Sequence, residues 1–190
     1  FEVRVAGLLQ IREDGGGATG PDGLTPGEQL TAIARVAHDL VSSQYSCWND
    51  DLLPALAHEK IHLWDVDELE GEQLAFIDRY WHGELEPILT PIVIDPAHPF
   101  PRVLNKALCI GVLLEQDGEA AFGVVTVPRV LPRILQLPDL EDGSVHMVTL
   151  AAIVRHHVKQ LFDGYTVTGA GPFRVTRNSE MYVNEEEADN

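Results

Sequence analysis

The stretch from Pro87 to Lys106 constrains the fold more than any other part of the chain. It holds five of the twelve prolines, namely Pro87, Pro91, Pro96, Pro99 and Pro101. Proline fixes φ, lacks a backbone donor and disfavours a helical conformation at the preceding residue. The stretch therefore excludes a regular helix and a central β-strand. Apolar residues recur at helical spacing before it and in short strand-like runs after it, so we predict a hinge between two modules.

Composition limits the class of protein. The 190-residue chain is 45% hydrophobic and 23% charged, as expected of a globular protein with a buried core. Its apolar runs are too short to cross a bilayer. Two cysteines, Cys47 and Cys109, give no disulfide framework, which favours the cytoplasm. The chain begins at Phe1, and we expect it to be a piece of a longer protein.

The charge of the chain is large and uneven. A formal net charge of −17 argues against general binding of nucleic acid. Residues 1–101 hold 18 acids and 5 bases, whereas residues 102–179 hold 7 acids and 8 bases. A polyanion should therefore avoid the first part and tolerate the second. The excess of acids also predicts a salt-adapted source, because salt screens self-repulsion.

Residues 1–89 are predicted to form a helical module. A capping box from Thr25 to Glu28 begins its first clear helix, and Pro54 should kink or restart that helix. A short extended piece over 61–64 and a second amphipathic helix over 71–86 follow. Apolar residues at steps of three and four predict a core-facing stripe on the first helix, formed by Leu30, Ile33, Ala37, Val41, Tyr45, Trp48 and Leu52.

Residues 90–190 are predicted to form an α+β module with a mainly antiparallel sheet. Two β-rich runs flank Asp117-Gly118, which is a hairpin signal. A helix over 150–162 should end at Gly164. Further strands are predicted over 145–148, 165–168 and 173–176. A connector with three prolines should pack Val130, Leu131, Ile134 and Leu135.

Two strings resemble known sites but lack the expected context. Gly15, Gly17 and Gly20 match G-x-G-x-x-G, yet the following Pro-Asp-Gly starts no helix, which disfavours a dinucleotide site. The sequence HEKIH, from His58 to His62, matches the H-E-x-x-H of zinc hydrolases. It falls where the first helix ends, so two solvated histidines are the simpler interpretation.

The remaining candidates are histidines and arginines. His156 and His157 are adjacent on a helix, point about 100° apart and cannot chelate one metal together, so one should face solvent. Arg174 and Arg177 are predicted to lie on opposite faces of one strand, with Val175 and Thr176 between them, and guanidinium groups suit phosphate. Because a strand alternates its faces, at most one of the two should point into a shared site. Pairing with the acidic tail is the alternative.

Six segments of the chain, in this order and spacing, resemble the long, multidomain bacterial polyphosphate kinases. They are VRVAGL, DGLTPGEQL, NDDLLPALA, LTPIVIDPAHPFPRVLNK, PRVLP and FRVTRNSEMYVNEEEA. The resemblance covers essentially the whole chain. It implies that residues 1–89 belong to the amino-terminal helical domain and residues 90–190 to the first part of the middle, or head, domain.

The resemblance also implies an activity for the parent protein. That family reversibly moves the terminal phosphate of ATP onto polyphosphate through a phosphohistidine, with the help of Mg²⁺. The phosphorylated histidine and most ATP contacts lie in two carboxy-terminal domains, so no catalytic, cofactor-binding or metal-binding residue is expected in this chain. The implied roles are scaffold, contacts between protomers of a homo-oligomer through the head domain, and part of the polyphosphate tunnel wall beside Arg174 and Arg177.

Two alternatives of other classes stay open from the sequence. One is a non-catalytic interaction domain that keeps the same scaffold, and the other is a zinc hydrolase that uses HEKIH. The expected location is the cytoplasm, either in solution or peripheral at the inner face of the membrane.

Overall fold

The computed structural model describes residues 1–15, 19–94, 101, 103–140 and 142–176. These residues fall into two compact units, the first containing Phe1–Asp51 and the second formed by Leu52–Val175. The predicted α+β class is confirmed, with a helical beginning and a later part built on mainly antiparallel strands. The domain boundary at residues 89 and 90 stays a prediction.

The first unit contains helices α1 (Glu2–Glu13) and α2 (Pro26–Ser46), which pack together. The predicted capping box of α2 is confirmed. The Glu28 N–H donates to Thr25 Oγ1 at 3.3 Å, and the Thr25 N–H donates to Glu28 Oε2 at 2.8 Å. The hydrogen bond from the Thr25 backbone, followed by that from its hydroxyl, lowers the pKa of Glu28.

The predicted core-facing stripe of α2 is wrong in its second half. Ile33 and Ala37 are half-buried, but Val41 is exposed and Tyr45 is 63% exposed. Helical periodicity marks a surface that is suited to burial, but the spacing does not specify which element covers that surface.

After α2 the chain continues through a π-helical turn (Cys47–Leu52) into α3 (Leu53–His58). Pro54 lies in the first turn of α3, as predicted for a restarted helix. None of the described helices is long and apolar enough to cross a membrane.

The second unit contains two sheets. The three-stranded sheet has the order β1-β6-β5, with β1 (Ile61–Trp64) parallel to β6 (Val145–Thr149) and β5 (Ile134–Gln136) antiparallel to it. The four-stranded sheet is antiparallel throughout and has the order β2-β4-β3-β7. Its strands are β2 (Pro91–Ile94), β3 (Leu108–Gln116), β4 (Glu119–Thr126) and β7 (Thr166–Arg174).

The hairpin predicted around Asp117-Gly118 is confirmed between β3 and β4. Both turn residues have positive φ, +53° and +82°, as a type I′ turn requires. The proline-rich stretch supplies β2 at an edge of the sheet, where a missing N–H donor is tolerated. Residues 95–100 and 102 of that stretch lie outside the described residues.

Helix α4 (Gly71–Tyr80) continues through a π-helical turn (Trp81–Leu85) and a short 3-10 turn (Glu86–Ile88). Helix α5 (Leu150–His157) continues through a 3-10 turn (Val158–Leu161), and Gly164 follows at φ +83°. One core joins both helical segments to the sheets, with fully buried residues that include Ile77, Trp81, Leu85, Ile110, Val112, Val148 and Ile153.

Two details of the predicted second module are corrected. The strands predicted over 165–168 and 173–176 are one strand, β7, because its central Gly-Ala-Gly pairs with β3 instead of turning. In the proline-rich connector, Leu135 is buried on β5 and Leu131 packs on the core, as predicted. Val130 and Ile134 are exposed. The prediction missed strand β5, on which Ile134 points to the side opposite Leu135.

Candidate phosphate-facing strand

Arg174 is the last residue of the edge strand β7. Its position is fixed by antiparallel pairing with Leu108 of β3. Phe173 packs with the small cluster around Cys109 on one face of the sheet. Because side chains alternate along a strand, Pro172 and Arg174 share the other face, on which α5 also lies. Arg174 is exposed, and its side chain contacts no partner by hydrogen bond or ion pair within the described residues.

Arg177 lies outside the described residues. The described strand ends at Arg174, so the predicted continuation of the strand to residue 176 is wrong. The argument that the two arginines occupy opposite faces of one strand therefore has no structural basis beyond Arg174. The phosphate-facing role of both residues stays a prediction.

Glycines allow β3 and β7 to pair beneath two aromatic rings. Gly111 of β3 lies opposite Gly171 of β7. A Cβ atom on Gly111 would lie 2.9 Å from Phe122 Cζ and 3.3 Å from Phe173 Cδ1. The close approach of these rings explains why the strand that ends at Arg174 needs a neighbour without a side chain.

HEKIH does not have the geometry of a zinc hydrolase. Helix α3 ends at His58, Lys60 has a φ of +60°, and β1 begins at Ile61. His58 and His62 therefore do not lie on one helical face, as that chemistry requires. Within the described part of the chain, no group of three or more His, Cys, Asp or Glu side chains is placed to hold a metal ion.

The G-x-G-x-x-G string also lacks its helix. Gly17 lies outside the described residues, and α2 begins only at Pro26, after Thr25 as cap. Gly20 therefore does not open a helix that could meet a pyrophosphate.

The adjacent histidines of α5 have different surroundings, and the prediction that one faces solvent is confirmed. His156 is exposed, and its Nδ1 lies 2.6 Å from Asp67 Oδ1. His157 is buried and stacks on Trp81 with ring centroids 4.7 Å apart. Its Nε2 lies 3.0 Å from Asp78 Oδ1. His157 thus ties α5 to α4 and has a structural role.

A polar network on β6 was missed from the sequence. The Ser144 hydroxyl donates to Asp142 Oδ1 at 2.6 Å and lies 3.1 Å from His146 Nε2. His146 Nδ1 in turn lies 3.2 Å from the Gln73 side chain on α4. Hydrogen bonds from the Ser144 hydroxyl and then its N–H lower the pKa of Asp142, and the charges of Lys60 and His146 add to the effect.

The network does not present a nucleophile. The single hydroxyl proton of Ser144 is directed at Asp142, so His146 must donate from Nε2 to the serine oxygen. Ser144 is also buried, with 5% of its surface exposed. The arrangement therefore fastens the loop before β6 to α4. Its only signal in the sequence is the local D-x-S-x-H spacing, because Gln73 is 73 residues away.

Comparisons with known proteins match the chain over almost its full length. A family model described as the polyphosphate kinase N-terminal domain matches residues 1–64, and one described as the polyphosphate kinase middle domain matches residues 72–190. Curated relatives named polyphosphate kinase include those of Burkholderia lata, 43% identical over 195 residues, and Xylella fastidiosa, 41% identical over 198 residues.

These relatives are much longer than the chain. Each match covers 100% of this chain and 28% of the relative. The crystal structure of polyphosphate kinase from Porphyromonas gingivalis matches with a TM-score of 0.80 at 22% identity, over 96% of this chain and 27% of that chain. At this identity, the structural match shows the shared fold.

Proposed function

This chain belongs to the polyphosphate kinase family, and we propose that it is the amino-terminal and middle-domain part of an enzyme that transfers the terminal phosphate of ATP to polyphosphate. Transfer is reversible and passes through a phosphohistidine. The adjacent matches to two successive domains of one family, over residues 1–64 and 72–190, support this proposal. The parent enzyme uses ATP and Mg²⁺.

The role proposed for this part is structural and substrate-guiding. It forms scaffold, contributes head-domain contacts to a homo-oligomer, and borders the path of the polyphosphate. The described residues offer no group of three acidic, histidine or cysteine side chains for Mg²⁺, so no step involving the metal is assigned to them. The exposed Arg174 is the described residue proposed to contact phosphate.

The first test is activity of the isolated chain. Phosphoryl transfer needs a positioned nucleophile and a charge clamp. We expect the purified 190-residue chain, given ATP and Mg²⁺, to make no polyphosphate, whereas the full-length enzyme makes it. Chain growth catalysed by the fragment, in a preparation free of full-length protein, would contradict the proposal that this part of the enzyme is structural and substrate-guiding.

The second test is the role of Arg174 in the full-length enzyme. A lost charge-assisted contact with phosphate costs roughly 1.5–3 kcal/mol. We expect Arg174→Ala to slow chain elongation by the factor that this free-energy loss implies. The melting temperature should not fall. Arg79→Ala, at an exposed arginine on α4, is the matched control and should leave elongation unchanged. Wild-type elongation by Arg174→Ala, or a loss that only follows stability, would contradict the phosphate role.

A further experiment distinguishes the non-catalytic alternative. A stand-alone interaction domain would be encoded without the carboxy-terminal catalytic domains. Sequencing the complete gene, followed by the elongation assay on its full product, therefore separates the enzyme from a scaffold that has lost the chemistry.

A further inference from the structure

A groove lies between α5 and the edge strand β7 in the second unit. It consists of two neighbouring cavities of about 370 and 320 Å³, and Arg155 and Ala170 line both. Pro172 lines the cavity beside the first turn of α5, and Lys159 lines the other. The groove therefore follows the helix, its 3-10 extension and the strand along their length. We call it the α5–β7 groove.

Small residues line much of this groove. They are Ala151 and Ala152 on the helix and Gly169 and Ala170 on the strand. The register of β7 against β3 shifts between Leu113 and Leu114, next to Thr168, which also lines the groove. The Thr168 hydroxyl donates to the Leu113 carbonyl at 3.3 Å. Short side chains leave room for a narrow, extended ligand.

Basic side chains border the groove on its helical side. Arg155 pairs with Asp65, and His156 Nδ1 lies 2.6 Å from Asp67 Oδ1. These acids fix two basic groups in place at the border. Lys159 is exposed, and its ammonium has no hydrogen bond or ion pair within the described residues. A guanidinium has five N–H donors, so Arg155 keeps donors for a ligand beside its bond to Asp65.

Arg174 continues the same line of charge. It follows Pro172 by two residues on the same sheet face, about 7 Å further along β7. Arg155 and Lys159 balance the charges of Asp65 and Asp67, which also line the groove, and Arg174 adds one positive charge beyond its end. This local excess contrasts with the net charge of −17 on the chain.

We propose that the α5–β7 groove binds a linear oligophosphate, with Lys159 and Arg155 as contacts that precede Arg174 along the chain of phosphates. This proposal rests on the proposed function, which makes polyphosphate the substrate. A narrow polyanion matches the groove in shape, and its repeated charges can meet Lys159, Arg155 and Arg174 in turn along its length. The guanidinium and ammonium groups supply charge-assisted hydrogen bonds to phosphate oxygens.

The test is calorimetric titration of the 190-residue chain with orthophosphate, tripolyphosphate and long-chain polyphosphate in low salt without divalent cations. We expect affinity to rise with chain length. Lys159→Gln should weaken polyphosphate binding roughly tenfold, as for a lost charge-assisted hydrogen bond. Because Lys159 is exposed, the melting temperature of the Lys159→Gln variant should equal that of the wild type. Arg79→Gln, which removes an exposed charge from α4, should bind as wild type.

Three results would overturn the proposal. They are no binding of any phosphate chain, an affinity independent of chain length, and an equal loss in Lys159→Gln and Arg79→Gln, which would indicate non-specific attraction. Arg155→Lys is a second variant, which keeps the charge but loses the planar fork, and it should bind more weakly than wild type.

Elongation by the full-length enzyme separates this inference from the proposed function. If the wild type elongates polyphosphate and Lys159→Gln changes neither binding nor elongation, the groove proposal is wrong and the function stands. If the wild type makes no polyphosphate, the proposed function is wrong, and the titration of the isolated chain still decides the groove.

Discussion

Gly123, in the middle of β4, lies where a side chain has no room. The strand is flanked by β2 and β3, and Gly123 pairs with Val93 and Val112. A Cβ atom there would lie 2.7 Å from both Cε1 and Cζ of Phe162 and 3.1 Å from Leu114 Cδ1. Phe162 is only 3% exposed and is part of the core. We therefore predict that Gly123→Ala destabilises the fold.

The size of the effect follows from two opposing terms. Overpacking a buried site costs about 1–3 kcal/mol. Replacing glycine by alanine at a compatible backbone conformation stabilises the fold by about 0.4–1 kcal/mol, because the unfolded chain has less conformational entropy to lose. The net loss in the free energy of unfolding should be roughly 1–2 kcal/mol. For a chain of this size, each kcal/mol lowers the melting temperature by about 2–4 °C.

The assay is urea denaturation followed by circular dichroism, with Gly171→Ala as the matched control. Gly171 lies in β7 of the same sheet, and a Cβ atom there would meet no other group within 4 Å. Neither glycine has the positive φ that would strain alanine. We expect Gly171→Ala to be neutral or slightly stabilising, so the two substitutions should differ in sign or by at least about 1 kcal/mol.

A double-mutant cycle tests whether the Phe162 ring causes the loss. Phe162→Leu shortens the group that the new methyl meets, so Gly123→Ala should cost less in that background, with a coupling of about 0.5–2 kcal/mol. If both glycine substitutions change stability equally, or if the cost of Gly123→Ala is the same with Phe162 and Leu at that position, the steric argument is refuted.

Three further predictions concern stability. Trp81→Ala removes a fully buried ring and its hydrogen bond to Gln160. It should lower the free energy of unfolding by about 3–5 kcal/mol in the same urea assay. A loss below about 1 kcal/mol would contradict the burial of this ring. The folded state holds the pKa of Asp142 below its ordinary 3.8. The stability that this lowering provides is present above pH 3.8 and is lost as the pH falls through the lowered pKa of the folded state. Ser144→Ala should raise the pKa of Asp142 in an NMR titration, and an unchanged pKa would exclude the hydroxyl as its main cause. The melting temperature should rise with sodium chloride because salt screens a net charge of −17, and a flat or falling midpoint would count against salt adaptation.

Local signals were predicted well from the sequence. The capping box at Thr25 and the turn at Asp117-Gly118 depend on residues within a few positions of each other. Chain geometry alone therefore determines their structures, and both appear where they were predicted. The fold class followed from the same kind of signal, repeated along the chain.

Features that depend on distant partners could not be predicted in the same way. The stripe through Tyr45 has helical spacing, but spacing does not specify which element covers it, and Tyr45 is exposed. The Gly-Ala-Gly of β7 suggests a turn until β3 is present to pair with it. The bond between His146 and Gln73 joins residues 73 positions apart, and no local pattern indicates such a partner.

The parallel pairing of β1 with β6 has a consequence for synthesis on the ribosome. Lys60, just before β1, contacts the loop before β6 across 82 residues of chain. At a typical rate of about 5–20 residues per second, β1 waits roughly 4–16 s before its neighbour has been translated. During that interval its backbone donors and acceptors lack their sheet partner, and Trp64 lacks Val148 beside it. A chaperone that binds short apolar strands on nascent chains would find β1 available until β6 emerges.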